Sequence, residues 1–192
     1  RVSLGLFRSQ GSYIFEIIHN YLDILAGVCG WNIGDSNKKG IDAVAKQLEK
    51  YSHVMVEGEF IQEPSVKLCK LLVENLPNNL DSVYLTNSGT EAVEAALKIS
   101  KRITGRSKII SALNSYHGST HGSLSVSGYE KRKRAYRPLL PDIEYINFNY
   151  DDLSVIDKNT ACVILETIQG GAGFILPKNN FLSRVKKQCK KV

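Results

Sequence analysis

The residues of this sequence best suited to chemistry lie in the segment 87–91, Asn-Ser-Gly-Thr-Glu, which leads into a run of strong helix formers. Ser88 and Glu91 have the S-x-x-E spacing of a capping box, which predicts a helix that starts at Ser88. The free N–H groups and the positive dipole end at such a helix start attract an anion such as a phosphate group. Because Gly89 has no Cβ, an anion could approach the main chain closely. The segment therefore predicts an anion-binding site.

The same residues also have an ordinary structural explanation, because any connection from a strand to a helix needs small residues and a cap. Neither standard nucleotide motif, G-x-x-x-x-G-K-[ST] or G-x-G-x-x-G, occurs in the sequence. A nucleotide-binding α/β protein is a weaker interpretation, since no ribose- or metal-binding motif accompanies residues 88–90.

Short apolar segments alternate with helical patterns after residue 80. Strands are predicted at 83–86, 108–113, 143–148 and 161–166; helices are predicted from 88 to 105, at 151–157 and at 180–191, with helical turns near 130–136 and a polar loop at 114–128. This order predicts an α/β fold, with a largely parallel sheet and helices on both faces. Ligands of such sheets bind beyond the carboxyl ends of the strands, so loops 86–90, 114–118 and 166–170 are expected to converge on one ligand.

The first part of the chain has a different pattern. Residues 12–25 predict a hairpin with its turn near His19 and Asn20, and helical spacing follows at 41–51 and 64–76. The glycine-punctuated segment 26–34 suits close backbone approach at a pocket or interface, or simply a loop that buries Trp31. We therefore expect an N-terminal segment, 1–60, followed by a second domain, 61–192.

Composition and charge argue against nucleic-acid, membrane and metal partners. The chain of 192 residues is 43% hydrophobic with a net charge of +6, and its basic clusters at 131–137 and 184–191 are better interpreted as solvated helix faces than as a nucleic-acid surface. No apolar run reaches the length of a membrane span, so we expect no membrane partner. The four cysteines lie far apart without C-x-x-C spacing, which argues against a metal site and favours a reducing compartment, the cytoplasm.

Several motifs together resemble one family across nearly the whole chain. They are Tyr-Leu-Asp at 21–23, Gln-Glu-Pro at 62–64, Asn-Ser-Gly-Thr-Glu-Ala at 87–92, Gly-Arg at 105–106, Tyr-His-Gly at 116–118 and Glu-x-Ile-Gln-Gly at 166–170. In combination they resemble the N-terminal half of class III aminotransferases of the ornithine and acetylornithine type, which depend on pyridoxal 5′-phosphate (PLP).

The resemblance implies a role for each matching residue. Ser88, Gly89 and Thr90 would bind the PLP phosphate, and Tyr116 would lie over the cofactor ring, where an aromatic side chain suits offset stacking. His117 would support that loop, and Glu166 would belong to the polar network near the ring.

The resemblance also implies an incomplete fold-type-I large domain, a homodimer, and an amino donor with a 2-oxo acid as substrates. The family's Schiff-base lysine and its cofactor-pairing aspartate are expected downstream, so no catalytic residue is assigned in this chain and the chain alone is expected to be inactive. A non-catalytic truncated relative, acting as a binding or interaction module, is the alternative.

Three positions depart from the usual family pattern. Ser119 stands where many members have an arginine that binds a substrate carboxylate, Gly171 where many have glutamate, and Thr167 where many have proline. The departures leave the amino donor open and make an unusual donor plausible.

Overall fold

A computed structural model describes residues 5–55, 60–150 and 152–192 of the chain, which divides into two units, Arg1–Asn79 and Leu80–Val192. The domain boundary that the sequence predicts, between residues 60 and 61, stays a prediction. In the described residues, no helix combines the length and the apolar character needed to cross a membrane.

The first unit contains a small antiparallel sheet in the order β1-β2-β3. Its strands are β1 (Leu6–Gln10), β2 (Tyr13–Glu16) and β3 (Asn20–Leu22). The last two form the predicted hairpin, with Ile14 opposite Tyr21. The pattern did not predict β1, which pairs with β2 across the tight turn at Gly11, where φ is +58°.

Helices follow the sheet in this unit. The short helical segment α1 (Ala26–Cys29) is irregular, because Gly27 and Val28 have left-handed backbone angles. Two longer helices are α2 (Lys38–Lys50) and α3 (Glu63–Asn75), each within three residues of its predicted limits. Helix α2 starts earlier than predicted because the Asn37 side chain caps it, accepting the Gly40 N–H at 3.2 Å.

The second unit is built on a parallel sheet in the order β5-β4-β6. Its elements are α4 (Gly89–Thr104), β4 (Lys108–Ala112), α5 (His121–Val126), α6 (Glu130–Lys133), a 3₁₀ turn (Arg134–Tyr136), β5 (Ile143–Ile146), β6 (Thr160–Val163) and α7 (Phe181–Cys189). Successive side chains of a strand point to opposite faces, and Ile109 and Ile110 are both fully buried. Ile110 packs with Phe181 on one face, and Ile109 packs with Leu97 on the other. The parallel sheet with helices on both faces is thus confirmed.

Two predicted elements are wrong in the described residues. Residues 83–86 form no strand there, and Tyr84 is 75% exposed. The apolar and β-branched pattern favours a strand, but a strand also requires a neighbour to pair with. The helix predicted at 151–157, of which Asp151 lies outside the described residues, is a series of turns. The Asp152 carboxylate accepts the Ser154 N–H at 2.9 Å, a local bond that competes with helix formation.

Other boundaries differ more modestly. The predicted polar loop at 114–128 contains helix α5, whose Ser-rich sequence carries no strong helical signal. Strands β5 (Ile143–Ile146) and β6 (Thr160–Val163) are shorter than the apolar runs 143–148 and 161–166 that predicted them.

Candidate functional site

The predicted start of helix α4 is confirmed. Ser88 has an extended backbone, and its Oγ accepts the Glu91 N–H at 3.3 Å while donating to the Glu91 carboxylate at 2.9 Å. The helix ends, also as predicted, at Gly105 in the left-handed conformation. The capping residues therefore set both limits of a helix of 16 residues.

The first turn of α4 is open to a ligand. In the described part of the chain, no hydrogen bond uses the N–H groups of Gly89 and Thr90. A Cβ at Gly89 would meet nothing within 4 Å, so the space beside this residue is open. Two free N–H groups at the positive end of a long helix suit a phosphate group.

The Thr90 hydroxyl joins this helix start to the loop before α5. Its Oγ1 lies 2.7 Å from Thr120 Oγ1 and 2.5 Å from Ser123 Oγ. Gly118 passes directly behind it with φ +134°, and a Cβ there would collide with the Thr90 and Ser123 hydroxyls. Thr90 is consequently held in one position beside the free amides.

Glu94 organises this network, and the sequence analysis did not identify it. Its Oε1 accepts the Thr120 hydroxyl at 2.5 Å and the Gly122 and Ser123 N–H groups at 2.8 and 3.0 Å. Burial raises the pKa of Glu94, but the hydrogen bonds from Thr120, Ser123 and Gly122 outweigh it and hold the pKa below its usual value. The available signal was its spacing, four residues after Thr90 on the same helix face.

Glu166 connects two of the predicted strand-end loops. One carboxylate oxygen accepts the Tyr116 N–H at 3.1 Å, and the other accepts the Gly170 N–H at 3.2 Å. Gly118 lies next to the Thr90 hydroxyl, so loops 86–90, 114–118 and 166–170 lie close together in this unit. That they bind one ligand stays a prediction.

Tyr116 is 44% exposed, and its ring is accessible at this edge. Its hydroxyl lies 3.2 Å from Ser119 Oγ, and the guanidinium of Arg132 lies over its ring, 5.4 Å from the centroid. An exposed aromatic ring held in position near the free N–H groups of α4 is suited to contact a planar ligand.

His117 lies behind the loop and mostly out of contact with solvent. Its N–H donates to Ser127 Oγ at 2.9 Å, and its Nε2 lies 3.3 Å from Ser111 Oγ. Burial lowers the pKa of His117 to about 4, so the ring is neutral near pH 7. These contacts support the predicted role of holding the loop.

The donor set at this edge fits PLP. Free amides and a hydroxyl suit the phosphate, and Tyr116 suits the ring. Within residues 5–55, 60–150 and 152–192, no three His, Cys, Asp or Glu side chains cluster as metal ligands.

The parallel α/β unit, with free N–H groups at one helix start and an exposed aromatic ring after strand β4, has the architecture of the fold-type-I large domain of PLP enzymes. The class III aminotransferase family matches residues 3–192, and the chain belongs to this family, whose cofactor is pyridoxal 5′-phosphate.

The curated relatives that the chain matches include aminotransferases. The chain is 36% identical over 191 residues to a [LysW]-aminoadipate semialdehyde/glutamate semialdehyde transaminase of Sulfurisphaera tokodaii, covering 98% of this chain and 49% of that protein. It is 35% identical over 190 residues to an acetylornithine aminotransferase of Archaeoglobus fulgidus, covering 97% and 50%. The chain therefore spans about half the length of the curated relatives it matches.

Solved structures agree on the fold. An adenosylmethionine-8-amino-7-oxononanoate aminotransferase of Methanocaldococcus jannaschii superposes with a TM-score of 0.91 at 33% identity, covering 100% of this chain and 47% of the other. The ornithine aminotransferase of Toxoplasma gondii superposes with a TM-score of 0.88 at 27% identity, with coverage of 100% and 47%.

Proposed function

We propose that the protein containing this chain transfers an amino group from a primary amine or amino acid to a 2-oxo acid, with PLP as cofactor. The observation that carries the proposal is the pair of free N–H groups at Gly89 and Thr90, with the Thr90 hydroxyl fixed in place beside an exposed Tyr116. When bound, PLP supplies the electron sink that this reaction requires.

In this proposal the residues of the chain bind and orient the cofactor. The N–H groups of Gly89 and Thr90 and the Thr90 hydroxyl bind the phosphate, with Ser88 fixing the helix start. Tyr116 packs on the ring, and Glu166 holds the Tyr116 backbone against the neighbouring loop.

We place the lysine that attaches the cofactor in the part of the relatives' length that this chain does not span. The lysines near the sheet have other contacts. Lys108 donates to Val155 O at 2.7 Å and to Asp157 at 2.9 Å, and Lys133 is buried and donates to the Tyr145 hydroxyl at 2.7 Å.

The proposal extends to the assembly and the compartment. We propose a homodimer in which residues 27–34 of the first unit contact substrate or the partner subunit; exposed apolar side chains such as Val28, Trp31 and Ile33 support this. Free thiols at Cys69, Cys162 and Cys189 support a reducing compartment, and we propose the cytoplasm.

The test uses the full-length protein that contains this chain. Purified with PLP, it should convert an amine and a 2-oxo acid in a ping-pong reaction, and Thr90→Val should weaken PLP binding about tenfold or more while changing pyridoxal binding little, because pyridoxal lacks the phosphate. Equal loss of both ligands would contradict the phosphate assignment.

The same preparation separates the alternatives. A non-catalytic interaction module would bind PLP without transferring an amino group to any 2-oxo acid. A nucleotide-binding protein would be protected against thermal unfolding by ATP rather than by PLP.

A further inference from the structure

A cavity of about 510 Å³ opens beside the Tyr116 loop. Its lining includes Tyr116, Gly118, Ser119, His121, Arg132 and Tyr136. Gly118 lines the cavity and also lies directly behind the Thr90 hydroxyl, so the cavity is next to the proposed phosphate site. A ligand group in this cavity would lie within reach of a cofactor bound at Thr90 and Tyr116.

The guanidinium of Arg132 is held at this cavity by two aromatic rings. Its central carbon lies 5.4 Å from the ring centroids of both Tyr116 and Tyr129. Contact with two rings restricts the long side chain before any ligand arrives. Such preorganisation lowers the entropic cost of binding.

Arg132 has no acidic partner among the described residues. No carboxylate there lies within ion-pair distance of its guanidinium, and the guanidinium N–H groups donate no hydrogen bond to another described residue. Glu130, the acidic residue nearest in sequence, instead pairs with Arg137 at 2.6 Å and lies 3.8 Å from Lys133. No residue of the described ranges therefore occupies the five guanidinium donors, which can bind a ligand.

The charge of the cavity favours an anion. Its lining contains no Asp or Glu, and Arg132 and His121 are its basic side chains. Ser119, where the family resemblance implies arginine, also lines the cavity and has no positive charge to bind a carboxylate.

We propose that Arg132 binds the second, remote carboxylate of an acidic amino donor or 2-oxo acid, and that it provides the positive charge that Ser119 lacks. This inference rests on the proposed transamination and names its substrate class, dicarboxylic substrates. A planar guanidinium binds a carboxylate through two parallel hydrogen bonds.

Calorimetry with glutarate, a dicarboxylate that cannot react, tests the inference in full-length protein loaded with PLP. Arg132→Gln should weaken glutarate binding about tenfold or more, and Arg132→Lys should restore part of it. Arg134→Gln is the matched control, because Arg134 is exposed, lies two residues away and does not line the cavity. Its glutarate affinity should equal that of the wild type.

Steady-state kinetics distinguish a role of Arg132 in substrate specificity from a purely structural role. In Arg132→Gln, kcat/KM for glutamate should fall about tenfold relative to kcat/KM for a neutral amine. A structural role would lower both values together and would overturn the inference, as would unchanged glutarate affinity. If glutarate binds through Arg132 but no amino group is ever transferred, the proposed function fails and the anion site stands.

Discussion

The carboxylate of Glu94 accepts the hydroxyl hydrogen of Thr120 at 2.5 Å and so joins helix α4 to the loop that precedes helix α5. The same oxygen accepts the N–H groups of Gly122 and Ser123, which lie in the first turn of α5. A single half-buried carboxylate therefore caps one helix and positions the hydroxyl groups that surround Thr90. The proposed phosphate site depends on it without direct contact.

Replacing Glu94 by glutamine should destabilise full-length protein by about 1–3 kcal/mol near neutral pH, because an amide oxygen accepts these three hydrogen bonds less strongly than a carboxylate. Burial raises the pKa of Glu94, but its hydrogen bonds hold the pKa below the usual value, so its contribution is present above the unfolded-state pKa and is lost as the pH falls through the folded-state pKa. Urea unfolding should show the difference from wild type shrinking in acid. The exposed Glu74→Gln variant should change stability by less than about 0.5 kcal/mol, and an equal loss there would contradict the account.

Gly118→Ala should disrupt the same region sterically. A new Cβ would collide with the hydroxyls of Thr90 and Ser123, and φ of +134° is unfavourable for alanine. We expect a loss of stability of about 1–3 kcal/mol and PLP binding weakened about tenfold or more. Gly105→Ala is the control, since Gly105 also has a positive φ but a Cβ there would meet nothing within 4 Å. It should lose about 1–2 kcal/mol of stability and keep its PLP affinity; matching PLP losses in both variants would exclude a local effect.

The sequence predicted the start of helix α4 and the meeting of three loops because these features follow from local spacing and from the geometry of parallel sheets. Ser88 and Gly105 define their helix through their own side-chain and backbone chemistry. Loops 114–118 and 166–170 follow the parallel strands β4 and β6, which end at the same edge, and the Thr90 hydroxyl next to Gly118 brings loop 86–90 to them.

The features that sequence reasoning missed depend on contacts between distant parts of the chain. Glu94 looks like any surface residue of an amphipathic helix until Thr120, 26 residues away, is placed beside it. Residues 83–86 have a strand pattern, yet no described neighbour pairs with them. Arg132 belongs to a basic run that resembles a solvated helix face, and only the fold places its guanidinium over Tyr116.

His117 should make the protein more sensitive to mild acid. Burial lowers the pKa of His117 to about 4 from 6.5, so the unfolded chain binds a proton between these values that the folded chain does not. Stability should therefore fall as the pH decreases through this window, by at most about 1.4 kcal/mol per pH unit from this residue. In His117→Gln, urea unfolding should show a shallower slope in the window and a parallel curve above it. An identical slope in both proteins would contradict the assignment.

Glu166 should control PLP retention through the backbone of Tyr116. Its two carboxylate oxygens accept the N–H groups of Tyr116 and Gly170, so Glu166→Ala leaves both donors without their partner. We expect PLP to dissociate about tenfold more readily from the alanine variant of the full-length protein, measured by equilibrium dialysis. Glu166→Gln keeps one acceptor oxygen and should lie between wild type and alanine. Equal loss of PLP from the Gln and Ala variants would mean that the carboxylate charge, rather than the two hydrogen bonds, positions the cofactor. If neither variant loses PLP, Glu166 has no part in holding the ring against Tyr116.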